Sequence, residues 1–141
     1  MAKPKVNLNR YHQDVYFPEE FPGMALEFVN LFKEGPDVDL TTHAGEKMID
    51  DNNPRGRIPL PTNEQLFDPS NKLIEFYERV DRPGRIQKAV IRIGHLHEDY
   101  DYTYVVSRDR FIITCWSNDV GDNHRLTHSL NEYVQPPTNK L

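Results

Sequence analysis

The chain is short of several features that would narrow its role at once. It has a single cysteine, Cys115, in 141 residues, so no disulfide can form within it. A lone thiol in the apolar run FIITCWS reads as a small core residue, and such cysteine usage fits a reducing compartment. No apolar run approaches the ~20 residues that cross a bilayer as a helix, so no membrane partner is expected. The opening residues, MAKPKVNLNRYHQ, lack the apolar middle of a signal peptide, and a cytoplasmic location is the expectation. Basic charge is not in surplus: 17 Lys+Arg against 22 Asp+Glu leave −5 with histidines neutral. That counts against a generic nucleic-acid binder but leaves room for a local basic patch. Neither G-x-x-x-x-G-K nor G-x-G-x-x-G occurs, and no cofactor is expected.

Eleven prolines and seven glycines imply many loops, while seven tyrosines and seven phenylalanines argue against a disordered chain. The length predicts one domain over residues 1–141. It would carry an irregular N-terminal arm over 1–22, with a short strand near Val15–Phe17 as an option, and a mobile tail over 135–141. Met24, Phe28, Leu31 and Phe32 recur at helical spacing and predict a helix over Gly23–Glu34, ended by Gly35-Pro36. A second helix is predicted over Leu40–Asp51, capped by Thr41 or Thr42, with Leu40, Ala44 and Met48 as its apolar stripe. A third is predicted over Pro69–Asp81, with Asp68 as cap, Pro69 in the first turn, and Leu73, Phe76, Tyr77 and Val80 inward.

The densest signal lies between Arg85 and Ser117. Arg85–Ile93, Asp101–Ser107 and Phe111–Ser117 are rich in β-branched and aromatic residues, and short polar turns separate them. Connections this short force antiparallel neighbours. Asn123–Val134 reads as a last helix, with a strand as the alternative. The expected fold is α+β: N-terminal helices packed on an antiparallel sheet of three to four strands, then a C-terminal helix or strand.

The segment TTHAGEKM (Thr41–Met48), followed by this meander, resembles the small toxin-type ribonucleases of the barnase/EndoU/colicin/RelE-like superfamily. His43-Ala44, Glu46 and Met48 match a His-Ala-x-Glu-Arg-Met type motif, and Lys47 stands where arginine is usual. FIITCWS offers Thr114 and Ser117 on the closing strand. The resemblance spans residues 40 to about 118, and the additional helix predicted at 69–81 departs from it. It implies metal-independent endoribonuclease activity in which a ribose 2′-OH attacks the adjacent phosphate, and it admits a phage or toxin-system origin. The implied partners are RNA and a cognate antitoxin.

That chemistry needs a base, an acid and cations around the phosphorane. The expected catalytic set is His43, Lys47, Arg92 and Thr114. His43 is the natural base near neutrality, and Lys47 lies one turn along the same helix border. Lys88, Val90 and Arg92 share one strand face, with the more apolar Ala89, Ile91 and Ile93 on the other. Arg85, Lys88, Tyr102 and Trp116 are the expected substrate-binding residues, the aromatics as stacking platforms worth ~1–3 kcal/mol per base. Each has an ordinary counterpart: a helix-surface histidine, a solvated strand arginine, a β-forming threonine, a core tryptophan.

Two other constellations remain. His95-x-His97 and the i,i+4 pair His124/His128 have metal-ligand character, but nothing in the sequence makes them meet, and no metal is assigned. His97-Glu-Asp-Tyr-Asp-Tyr-Thr-Tyr interleaves acids with aromatics, a composition suited to protein contact. It supports the alternative of a non-catalytic, phage-type protein that inhibits a host protein.

Overall fold

The computed structural model describes residues 22–79 and 85–122, with strand segments at 6–8, 13–16 and 128–129. In chain order the elements are β1 (Val6–Leu8), β2 (Gln13–Tyr16), α1 (Pro22–Lys33), β3 (Asp39–Leu40), α2 (Thr42–Met48) and α3 (Asn63–Leu66). Five strands complete the order: β4 (Lys72–Arg79), β5 (Ile86–Ile93), β6 (Tyr100–Ser107), β7 (Phe111–Asp119) and β8 (His128–Ser129). The fold is α+β. A five-strand mixed sheet, β4-β5-β6-β7-β3, is antiparallel except where β3 lies parallel to β7; β2 and β1 continue it beyond β4, and β8 also pairs with β4. The sheet is therefore larger than the three to four strands predicted, and it is not wholly antiparallel.

α1 forms where the spacing places it. Pro22 occupies the first helical position, which needs no N–H, and Ala25, Phe28, Val29 and Phe32 are all buried on one stripe. Gly35 follows the helix with Arg110 lying against it: a Cβ there would come within 1.6 Å of the Arg110 guanidinium, so that flexible side chain would have to move. Arg110 is itself held at φ 70° in the β6–β7 turn.

α2 is shorter than predicted. Thr41 caps it, accepting from the Ala44 N–H at 3.2 Å and donating its hydroxyl to the Ile113 carbonyl at 3.0 Å. Asp50 then turns the chain by accepting from Asn52 N–H at 2.9 Å, a local bond that competes with further helix. Leu40, expected inside α2, belongs to β3.

The largest correction is at 69–81, predicted as a helix. Residues 69–71 are turn and Lys72–Arg79 form β4. Asp68 does not cap a helix; its Oδ1 accepts from the Ser70 N–H at 2.9 Å and the Ser70 hydroxyl at 2.7 Å, closing a turn. Register shifts between Leu73 and Glu75 and between Tyr77 and Glu78 break the period-2 pattern. Phe76 and Tyr77 are buried on opposite faces, and a strand buried on both faces mimics a helical stripe over so short a run.

The three helices lie on one face. Ala89, Ile91 and Ile93 of β5, Tyr102, Tyr104 and Val106 of β6, and Ile112 and Cys115 of β7 join Phe28, Phe32, Ala44, Met48, Leu66 and Phe67 in one core. The Tyr104 hydroxyl finds the Pro59 carbonyl at 2.6 Å, so the ring is buried without stranding its polar end. Of Asn123–Val134, β8 shows a strand at 128–129. The remainder of that segment, the 135–141 tail, residues 80–84 (the end of the predicted third helix with Val80, and the break after it) and most of the 1–22 arm lie outside the described residues.

Candidate functional site

The residues chosen from the sequence fall into three places. His43 and Lys47 are both exposed on α2, one turn apart on the same border, as the helical spacing requires. α2 seats its other side on the core: Ala44 and Met48 are buried, and the Cys115 thiol lies 4.0 Å from the Ala44 carbonyl. Burial pushes the Cys115 thiol up to about 11, only partly opposed by the Lys47 ammonium. It is therefore a core thiol, held in its unreactive form.

Arg92, Thr114, Lys88 and Trp116 share the other face of the sheet. Arg92 alternates with the core residues Ile91 and Ile93, and Thr114 and Trp116 flank Cys115. The expected catalytic set is thus divided, with the His43 and Lys47 helix on the core side and Arg92 and Thr114 opposite. Arg92 is 2% exposed and tied to Asp101, also 2% exposed, through Nε to Oδ2 at 2.7 Å. Its Nη2 donates to the Asp119 carbonyl at 3.0 Å, and the Lys72 ammonium stands 3.7 Å from the same carboxylate. The guanidinium is structural in this arrangement. Thr114 is half-buried and Trp116 is 36% exposed.

Tyr102, expected to stack on substrate, faces the core at 3% exposed. The parity of β6 places Tyr102 with Tyr104 and Val106, so its ring is spent on packing. Arg85 is exposed just before β5.

One cluster on the far face was invisible while residues 69–81 read as helix. The Tyr77 hydroxyl donates to Glu75 at 2.6 Å, and the Lys88 ammonium sits 4.9 Å above the Tyr77 ring. Burial holds the Lys88 pKa down, partly opposed by Glu75. Burial and the hydrogen bond to Glu75 push the Tyr77 hydroxyl pKa up. Only the correct β4–β5 register, which sets Tyr77 opposite Lys88, reveals the group.

The β5–β6 turn gathers a different chemistry. His97, Glu98 and Asp99 are exposed. The His97 and Tyr100 rings stack at 4.9 Å and 23°, and His97 Nδ1 accepts from the Asp99 N–H at 3.0 Å. Tyr100 pairs across the sheet with Asp119, so Asp119, the exposed Val120 and Asp122 stand at the same end. The hydrogen bond from Arg55, at 3.1 Å, holds the Asp119 carboxyl below its usual range. Among the described residues no group of three or more His, Cys, Asp or Glu side chains is placed to hold a metal. His124 lies outside the described residues, and of His128 only the strand is described.

No protein-family model, curated protein or solved structure matches the chain.

Proposed function

We propose that the protein is a non-catalytic binding protein, of the kind a phage uses to inhibit a host protein, and that it engages a partner through the acidic, aromatic end of its sheet. The observation that carries this reading is the β5–β6 tip: Glu98 and Asp99 exposed beside the His97–Tyr100 stack, with Asp119, Val120 and Asp122 at the same end. A rigid aromatic ring flanked by carboxylates and one exposed aliphatic residue suits a basic partner with an apolar anchor. Asp101 and Tyr102, from the same acidic-aromatic stretch, serve the fold, which narrows the surface to residues 97–100 and 119–122.

The competing ribonuclease reading needs an imidazole, a guanidinium and a hydroxyl around one phosphate. His43 and Lys47 lie across the sheet from Arg92 and Thr114, and Arg92 is engaged by Asp101.

The test is affinity capture from a bacterial host with the wild-type chain beside a Glu98→Lys/Asp99→Lys variant, together with an RNA-cleavage assay in EDTA. A single host protein retained by the wild type and lost by the variant is the expected result. RNA cleavage in EDTA that stops in His43→Ala, with the fold intact, would instead establish the nuclease.

A further inference from the structure

We infer that the β5–β6 tip is a proton-operated latch, in which neutral His97 holds the turn closed and protonated His97 releases it. The Asp99 N–H donates to His97 Nδ1 at 3.0 Å. A ring nitrogen that accepts carries no hydrogen, so the neutral imidazole bears its proton on Nε2. Protonation makes Nδ1 a donor as well and sets its N–H against that of Asp99. Two donors cannot share the position, so the bond is lost and the turn opens. The arrangement copies the turn in which an asparagine oxygen accepts from the N–H two residues on, with one difference. An imidazole acceptor can be switched off within the physiological pH range.

The ring is exposed to solvent protons yet held in place. It stacks on Tyr100 at 4.9 Å and 23° and meets Tyr102 edge-on at 6.3 Å and 82°. Tyr102 is rooted in the core at 3% exposed, so the imidazole rests on a rigid base and a change at Nδ1 passes to the Asp99 backbone. The charged groups around it are Glu98 and Asp99 on its own turn. From β7 comes Asp119, opposite Tyr100 and held by Arg55, with Asp122 just beyond. His95, the other imidazole of the turn, lies near Asp68. An imidazolium is drawn to the Glu98 and Asp99 carboxylates, so protonation exchanges a backbone bond for ion pairs and re-aims both acids. Control of partner engagement by this latch rests on the reading of the tip given above. Opening disperses the surface at 97–100, and the added positive charge weakens attraction for a basic partner. Both effects favour binding at neutral pH and release in mild acid.

Nitrogen NMR of the full chain between about pH 8 and pH 5, the span of histidine titration, tests the latch without a partner. At the upper end the His97 ring should carry its proton on Nε2, and the Asp99 amide should shift in step with ring protonation. Protection of that amide should fall roughly fivefold, the scale of one neutral hydrogen bond, relative to His97→Asn at the same pH. His97→Asn supplies an oxygen acceptor that does not titrate, so its turn should stay closed throughout. A proton on Nδ1 at the upper end, an Asp99 amide indifferent to His97 protonation, or one that moves identically in His97→Asn overturns the latch. A capped Arg-Leu-Arg-Arg peptide, followed by the same spectra, separates the latch from the reading it rests on. Saturable shifts at 97–100 and 119–122 are expected, roughly fivefold weaker in acid for the wild type and less affected in His97→Asn. Equal affinity at both ends of the pH range in the wild type overturns control of binding by His97. If the peptide saturates at neither pH while the Asp99 transition is present, the binding-protein reading fails and the latch stands.

Discussion

The two faces of the central sheet are buried by opposite means. On the helix side β5, β6 and β7 present Ile91, Ile93, Tyr104, Val106 and Cys115 to aromatic and aliphatic partners from α1 to α3. On the other side the same strands bury Arg92, Asp101 and Thr103 beside only two apolar residues, Val90 and Val105. The first face is stabilised by the area it removes from water, roughly 25 cal/mol per Å², and tolerates exchange among residues of similar volume. The second is stable only while each polar group keeps its partner, because an unpaired buried charge costs more than the pair returned. Thr103 shows the same discipline, its hydroxyl donating to Asn118 Oδ1 at 2.7 Å. The polar face therefore adds little net stability but penalises any slip of register, which would strand Arg92 among apolar residues.

The sharpest way to break this contrast is at Arg92. Arg92→Ala leaves the buried Asp101 only the half-exposed Lys72 ammonium at 3.7 Å and should cost about 3 kcal/mol in a denaturant melt, the low end for a broken buried pair. Arg92→Met with Asp101→Leu should cost far less, and an equal loss would show that the pair is more than a balanced burial. Asn63→Ala comes next. It leaves the Val38 N–H and the Phe32 and Pro36 carbonyls without the side-chain partner they now share, at roughly 2–4 kcal/mol, read from the same melt.

The helix side has its own titratable group. The Cys115 thiol is pushed from 9.0 to about 11 by burial, so the folded chain holds this proton more tightly than the unfolded chain. The stability it contributes is whole below about pH 9 and is lost as pH rises toward 11, by about 2–3 kcal/mol in all. Cys115→Ala should flatten that part of the alkaline stability profile. The smallest effect is expected outside both faces. Arg55→Ala removes the exposed pair with Asp119 and should leave the denaturant midpoint almost unchanged, because solvent screens such a pair; a clear loss would mean that the Arg55 contact with the Ser117 carbonyl at 3.3 Å matters more than the ion pair.

The meander was readable because three β-branched, aromatic runs with tight polar turns admit few other pairings. The strands run over Ile86–Ile93, Tyr100–Ser107 and Phe111–Asp119, within a residue or two of their predicted spans. α1 was readable for the same reason, with its apolar spacing and the Gly35-Pro36 stop agreeing. β4 was not. Its bulges and its two buried faces erased the alternation that marks a strand, and Asp68-Pro69 is as good a turn as a helix start. The candidate site was legible only residue by residue. Strand parity correctly put Lys88 and Arg92 on one face and Thr114 with Trp116, but the side on which α2 would land was not written in the spacing of His43 and Lys47. Tyr102 was misjudged because tyrosine suits a core and a stacking surface equally well, and only pairing with Ile93 and Ser117 decides which.

By itself the sequence determined the local elements whose signals agree over several residues: the amphipathic stripe of α1, a threonine cap at 41 or 42, the three hairpin strands and the buried Cys115. Tertiary structure decided what those elements meet. It made a strand of residues 72–79, because pairing with both β5 and β2 satisfies a backbone that propensity alone left undecided. It turned Arg92 inward on Asp101, and it closed Phe32, Pro36 and Val38 around Asn63 from a segment far away in the chain. Side-chain identity and spacing set which conformations are cheap locally, whereas contacts between distant segments depend on how all of them bury their surfaces at once.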